Sequence, residues 1–555
     1  MSPASRAGSG KTSCDDFSIA REIPLNAKNV LQIGDHHHDL HITYKKLNPE
    51  TNYVVKERIK DLQSINNANK KGIDCLILDN FLYSEENPIE YLTMISELVQ
   101  EKCIILIIEE NVQPWDKIQT IIEKNKKLED KKKFIKNNIN INFKKEIIKI
   151  VNRSNLQLVE IKPKLVNLNI INQVLKNLDN VLSSLKINNE DFKESLTTSE
   201  FILKVQKNKN IKISIHAISR MEHGVSDVRI INPLLAINSL QGYEISLSRI
   251  SATGEFIYPS NQLPKIVIWQ RPIHDYSEDR INLLKRMIKD GYIIITEFDD
   301  HPSNWPIIEK NKYLTFKACH AVQVSTSKLR DLIKNYNPEV ALFPNSIYQI
   351  DDKIKATNDR KLRIFYGGYN RKKDWLIWIN TINKLFLENP TEWEIEVIHD
   401  KDFFDSIELP INQKSFTPTC NYKTYRNKMS GCDIAFMPLR NTDFNNYKSD
   451  LKAIEAGSLG LLILATQTVY SEKFINGKNC LIFNTEKELY NQLEKCRLDH
   501  SIIDQIGNSA KIYIKKERLL LHQINARDQW YKKLIKRKEM LTEEIFKREP
   551  LLNIK

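Results

Sequence analysis

The sequence predicts an α/β fold built from consecutive parallel sheets. Three observations carry that expectation. Short apolar runs, as at 30–33, 104–108 and 461–465, read as strands buried on both faces. Stretches of helical length separate them, as a doubly wound sheet requires. Gly34, Gly367-Gly368 and Pro438 punctuate the ends of several runs. At 555 residues the chain exceeds one compact core, and its length suggests about three or four domains.

Residues 1–25 are expected to form a disordered tail, rich in Ser, Gly and Ala and lacking the apolar core of a secretory signal. The stretch Gly8-Ser9-Gly10-Lys11-Thr12 is not a phosphate-binding P-loop, because Ser5 stands where the first glycine belongs and no strand precedes it. A first block, 26–165, carries strands at 30–33, 53–55, 74–78 and 104–108. Residues 130–203 read as helical and rich in Lys and Asn, and 166–210 as a helical connector. A second block, 211–347, has strands at 212–216, 265–269, 292–297, 321–325 and 340–343. A third, 348–535, has strands at 362–366, 394–398, 434–438, 461–465 and 480–483, and 536–555 read as a charged terminal helix. Two successive sheets joined near Pro344-Asn345 suggest a cleft, and open α/β sheets bind ligands at the carboxyl ends of their strands.

Composition narrows the classes of function. The net charge of +13 comes from basic residues dispersed among 70 acids, with no RRM, zinc-finger or helix-turn-helix pattern, so nucleic acid is not the expected partner. A basic surface fits phosphorylated substrates, or peripheral contact with acidic lipid. Eight scattered cysteines without a CxxC pair imply reduced thiols and a cytosolic setting. The longest apolar runs fall far short of a bilayer span, which needs about 20 residues.

Two stretches carry chemistry. The strand at 362–366 delivers the chain to Gly367-Gly368, followed by Arg371, Lys372 and Lys373 and a helix from about Asp374. Glycines let backbone N–H groups approach a phosphate, a helix start adds positive potential, and the cations neutralise a diphosphate leaving group. The second stretch opens a helix after the strand ending at Pro438. Lys448, Lys452 and Glu455 stand at i, i+4 and i+7 on one expected face, with Ser449 or Asp450 as its cap. The plain alternatives are an ordinary β-α turn with a solvated basic patch for the first and a surface helix with a lysine–glutamate pair for the second.

Residues 211–530 resemble a GT-B glycosyltransferase of the GT4-like (glycosyl transferases group 1) type. The likeness rests on Phe365-Tyr366-Gly367-Gly368 with Arg371-Lys372, and on the run from Lys448 through Glu455 to Gly460. The stretches 297–302, 325–327 and 343–345 also fit. The resemblance implies two Rossmann-like domains facing a cleft, an acceptor domain first and a nucleotide-sugar donor domain second. It implies that Glu455 holds the donor ribose, that Arg371 and Lys372 hold the diphosphate, and that Phe416-Thr417-Pro418 lies near the base. It places Gly367, Gly368, Lys448, Ser449, Asp450 and Lys452 in the donor site, with Gly224 and Arg229 facing it from the first domain. Tyr447 stands where the family often has a second acid, which leaves the stereochemical outcome open. Asp299, Asp300 and His274 are the candidate catalytic residues, each weighed against a turn-capping role. No metal or cofactor is expected, only a UDP- or GDP-sugar as co-substrate.

The first block resembles a degenerate class I methyltransferase, a further Rossmann-like domain. Val30–Ile33 with Gly34 matches its opening strand, and Glu57 stands where an acid would grip the cofactor ribose. Asp35-His36-His37-His38-Asp39 replace the expected glycines, so S-adenosylmethionine is not expected to bind productively. The adjacent histidines do not suit a single metal ion. The reading is therefore a cytoplasmic hexosyltransferase-type enzyme, with peripheral association at the inner face of a membrane as an option, acting on a glycan, lipid-linked or protein acceptor in surface polysaccharide or glycoconjugate synthesis. The alternatives are a non-catalytic scaffold of the same fold and a bifunctional enzyme with an active methyltransferase.

Overall fold

The computed structural model describes residues 18–34, 36–56, 72–82, 87–111, 143–154, 156–165, 198–207, 213–220, 224–240, 242–249, 264–353 and 361–554. They form two compact units, 1–211 with 239–242, and 212–238 with 243–555. The stretch at 8–12, Glu57 and most of the expected connector lie outside the described residues.

The first unit holds one six-stranded sheet in the order β2-β1-β3-β4-β6-β5. Its strands are β1 (Asn29–Ile33), β2 (Asn52–Lys56), β3 (Cys75–Asp79), β4 (Ile104–Glu110), β5 (Gln157–Leu165) and β6 (Thr198–Gln206). The first four are parallel, as expected. β6 is antiparallel to both β4 and β5. This corrects the helical reading of 130–203: the described residues there contain the helix Phe143–Arg153 and these two strands. The expected tail is also shorter than 1–25. Ile19, Ala20, Ile23 and Leu25 are buried, and Asn48 Nδ2 donates to the carbonyls of Leu25 and Ala27 at 3.0 and 2.8 Å.

The second unit contains two wholly parallel sheets. One comprises β7 (Ile213–Ser219), β8 (Tyr243–Arg249), β9 (Lys265–Gln270), β10 (Tyr292–Phe298), β11 (Ala321–Val324) and β12 (Val340–Leu342), in the order β12-β11-β10-β9-β7-β8. The other comprises β13 (Leu362–Gly367), β14 (Trp393–Ile398), β15 (Lys414–Thr417), β16 (Ile434–Met437), β17 (Leu462–Thr466) and β18 (Leu481–Phe483). Its order, β15-β14-β13-β16-β17-β18, reverses direction between β13 and β16. Side-chain alternation splits it between two cores. Leu362, Ile364, Leu462 and Leu464 pack on one face with Trp375, Trp393 and Phe386, while Phe365, Ile463 and Ala465 pack on the other with Ile454 and Ile514. The α/β class and the paired Rossmann-like sheets facing a cleft are therefore both present.

The C-terminal helices return to the first lobe of this unit. Ile545 and Leu552 are fully buried in the same core as Val267, Ile294 and Phe316. Arg548 donates to the carbonyls of Lys317 and Cys319.

Candidate functional site

At the switch point between β13 and β16, a cavity of about 370 Å³ opens toward the first lobe. Open sheets bind ligands at such points, where neighbouring strand connections leave on opposite faces. Its walls include Tyr366, Gly367, Tyr369 and Arg371 after β13, and Pro438 and Leu439 after β16. Lys448 and Ser449 come from the segment ahead of the helix Leu451–Leu459 and Lys452 from its first turn, while Arg271, Asp299 and Asp300 come from the first lobe.

The glycine pair serves packing. A Cβ on Gly367 would stand 2.9 Å from the Tyr425 ring, and one on Gly368 would stand 2.4 Å from the Tyr366 hydroxyl. The left-handed residue of this turn is Asn370, at φ 54. Arg371 then reaches Asp374 Oδ2 at 3.2 Å and Asn445 Oδ1 at 3.5 Å, which holds its guanidinium on the cavity wall.

Lys448 precedes the helix in extended conformation, which corrects the expectation that it shares a helical face with Lys452. Its ammonium lies 3.2 Å from Asp300 Oδ1 and above the Phe444 ring. Lys452 donates to the Gly367 carbonyl and has no carboxylate within ion-pair distance among the described residues. Burial lowers its pKa to about 8, and the like charges of Arg371 and Lys448 push the same way. Three cations thus converge on one cavity; Asp374 pairs with Arg371 and Asp300 with Lys448, which leaves Lys452 as the one of the three without a carboxylate at ion-pair distance among the described residues.

Other expected site residues lie elsewhere. Lys372 is 61% exposed and pairs on the surface with Asp402. Asp450 occupies the N-cap position without capping the helix; its carboxylate takes both Nη atoms of Arg518, at 2.6 and 2.8 Å. Glu455 is buried, with its carboxyl hydrogen-bonded by Tyr422, and burial raises its pKa to about 6 against the pull of Arg426. It is not among the residues lining the cavity; Gly224 of the first lobe lies against the Tyr422 ring, where a Cβ would stand 3.6 Å away. Arg229 is buried too, binding Glu297 at 2.7 Å and the Phe343 carbonyl at 2.6 Å. Phe416 packs on Phe404 at the edge of its sheet.

The catalytic candidates separate clearly. His274 is fully buried against Trp269, away from the cavity, and burial lowers its pKa to about 3. Burial would raise the Asp299 pKa, but the fork of Arg271 at 2.6 and 3.0 Å lowers it, so Asp299 is a weak base. Asp300 lines the cavity, bonded by Asn304 Nδ2 at 2.7 Å and by Lys448. Sequence reasoning missed Asp374, Arg271 and Tyr425. Asp374 could have been noticed, because it follows the basic cluster directly; nothing marked the other two.

No protein-family model and no curated protein matches the chain. Solved structures do match part of the chain. An alpha-glucosyltransferase in complex with UDP-glucose and DNA containing an abasic site is 13% identical, covering 57% of this chain and 98% of its own, with a TM-score of 0.42. Sucrose-phosphate synthase from Thermosynechococcus elongatus is 10% identical over 58% and 99%, also at 0.42. A glycosyltransferase from Rickettsia africae is 12% identical over 59% and 99%, again at 0.42.

Proposed function

We propose that this protein is a metal-independent GT-B glycosyltransferase that takes a UDP- or GDP-sugar into the cavity beside Lys452. One observation carries the reading: Arg371, Lys448 and Lys452 converge on a cavity at a switch point, and Lys452 lacks a carboxylate partner among the described residues. Such a cluster suits a diphosphate, whose charge grows as the bond to the sugar breaks. The cations and the start of the Leu451–Leu459 helix would stabilise that leaving group. A glycan, lipid-linked or protein acceptor would approach from the first lobe, past Asp300. No helix among the described residues is long and apolar enough to cross a membrane, and a cytoplasmic enzyme working at a membrane face fits the basic surface.

The first unit offers a cofactor little room. His37 is buried at the carboxyl ends of β1 and β3, bonded to Asp79 at 2.7 Å and 3.4 Å from Glu200. Burial alone would discharge it, but the two carboxylates raise its pKa to about 9. Gly34 lies so close to Asp79 that a Cβ would meet the Asp79 carbonyl oxygen at 2.2 Å. This unit is read as a scaffold, methyltransferase-like in descent and without S-adenosylmethionine.

A second reading is a non-catalytic binding protein, favoured by Tyr447 packed on His301 at 4.5 Å and by Glu455 screened behind Tyr422. Calorimetric titration with UDP, GDP and S-adenosylmethionine, followed by assay of UDP- and GDP-sugar consumption, separates these possibilities. The expected result is binding of one nucleoside diphosphate, consumption of its sugar, and no response to S-adenosylmethionine. Binding without turnover supports the second reading, and no nucleotide binding at all overturns the first and leaves a non-catalytic scaffold.

A further inference from the structure

The pair Asp300–Lys448 joins the two lobes across the mouth of the cavity at 3.2 Å, and each side chain is less than one-fifth exposed. Both residues line the cavity. Asp300 does not depend on Lys448 for its placement. Its Oδ2 accepts from Asn304 Nδ2 at 2.7 Å and its Oδ1 from the His301 backbone N–H at 2.9 Å. Lys448 is placed by its own chain, with the Thr326 hydroxyl donating to the neighbouring Tyr447 carbonyl at 3.2 Å. Lys448 is therefore a cation already engaged by a carboxylate that stays fixed whether or not the pair is intact.

We propose that Asp300 is an internal competitor of the anionic donor: it occupies Lys448 in the empty site and yields it when a diphosphate enters. The inference rests on the donor site proposed above. Entry of the anion exchanges one ion pair for another at Lys448, while Asp300 keeps its hydrogen bonds from Asn304 Nδ2 and the His301 N–H. The exchange also frees the Asp300 carboxylate on the first-lobe wall of the cavity, where an acceptor hydroxyl would approach. Donor binding and readiness for the acceptor are thereby coupled through one side chain. Asp299 does not substitute for it, because Arg271 holds that carboxylate in a two-point fork.

The test is a double-mutant cycle read by calorimetry with inorganic pyrophosphate and with UDP. Asp300→Asn keeps the bond from the His301 N–H and removes the charge. It is expected to tighten pyrophosphate about fivefold, the size of a modest ion-pair coupling. Asp300→Ser provides a second variant of the same sign, with melting temperature recorded for each. In the Lys448→Met background the same change at Asp300 should have no effect on affinity. Unchanged or weaker binding by both Asp300 variants overturns the inference, as does an equal gain in the Lys448→Met background. If Lys452→Met weakens pyrophosphate while the Asp300 variants do nothing, the donor site stands and only the competition fails. If neither wild type nor Asp300→Asn binds pyrophosphate, the donor site fails and the competition with it.

Discussion

Lys452 shows how a site side chain acts on both binding and stability. Its ordinary pKa of 10.5 falls to about 8 in the empty cavity, first through burial and then through Arg371 and Lys448. Between those two values the unfolded chain holds the proton that the folded chain has lost, so the stability of the unliganded protein should rise as pH climbs from 8 to 10.5. Lys452→Met removes this strain and is expected to raise the unliganded melting temperature at neutral pH. The same substitution should weaken UDP or GDP by about 10- to 100-fold, the worth of a charge-assisted hydrogen bond. A bound diphosphate favours the ammonium, so affinity should fall as pH rises past 8, with proton uptake visible as buffer-dependent heat. Arg371→Ala should weaken nucleotide similarly, and Lys372→Ala, on the surface with Asp402, should leave affinity unchanged. A large effect at Lys372 with none at Arg371 would put the anion outside the cavity. At this scale the sequence pointed to Lys448 and Lys452, both of which line the cavity although Lys448 lies ahead of the helix, but could not separate Arg371 from Lys372, because which of two adjacent cations turns inward depends on partners distant in sequence, here Asn445.

The helix Leu451–Leu459 positions Lys452, and the elements behind it fix its place. It ends at Gly460, left-handed at φ 79, and Gly507 of the helix Ser501–Glu517 presses on that end. A Cβ at position 507 would stand 2.1 Å from the Gly460 carbonyl oxygen, a backbone atom that cannot rotate aside. Gly507→Ala should therefore cost about 1–3 kcal/mol or more. It should also weaken nucleotide binding, because the Lys452 helix must shift; differential scanning calorimetry paired with the UDP titration checks both. An unchanged melting temperature would show the contact to be loose. At the other end, Arg518→Ala leaves Asp450 buried without its partner and should cost about 3–5 kcal/mol. The strands of both parallel sheets in this unit were mostly legible, because strands buried on both faces are written as unbroken apolar runs. β5 and β6 were not. Glu200 and Lys204 interrupt the β6 run although both are buried, with Glu200 satisfied by His37 and Lys164. β5, Gln157–Leu165, alternates charged and apolar residues around Pro163 and reads as a polar segment.

The chain of the second unit crosses between its lobes twice, once outward through 343–347 and once back through the C-terminal helices. The outward crossing is held from both sides. Arg229 binds the Phe343 carbonyl and Asn345 Oδ1, while Arg518 donates to the Asn345 carbonyl at 3.1 Å and Gln523 to that of Pro344 at 2.8 Å. The return crossing reads in sequence as a charged helix, because Leu541, Ile545 and Leu552 are spaced widely among lysines and glutamates. In the fold Ile545 and Leu552 complete the first lobe's core and Leu541 is buried too, with Tyr276 donating to Glu549 at 2.9 Å. A two-lobed unit built this way keeps its first lobe folded with the last residues of its second half. Ile545→Ala should then destabilise by about 2–5 kcal/mol, as large-to-small changes in a closed core do. Deletion of residues 538–555 should expose the first lobe's core and bring the buried Cys319, whose carbonyl Arg548 now covers at 2.8 Å, within reach of a thiol reagent under native conditions. Counting reactive thiols in the full-length and truncated chains measures this directly. Equal counts together with an unchanged melting temperature would mean that the first lobe closes without its C-terminal helix.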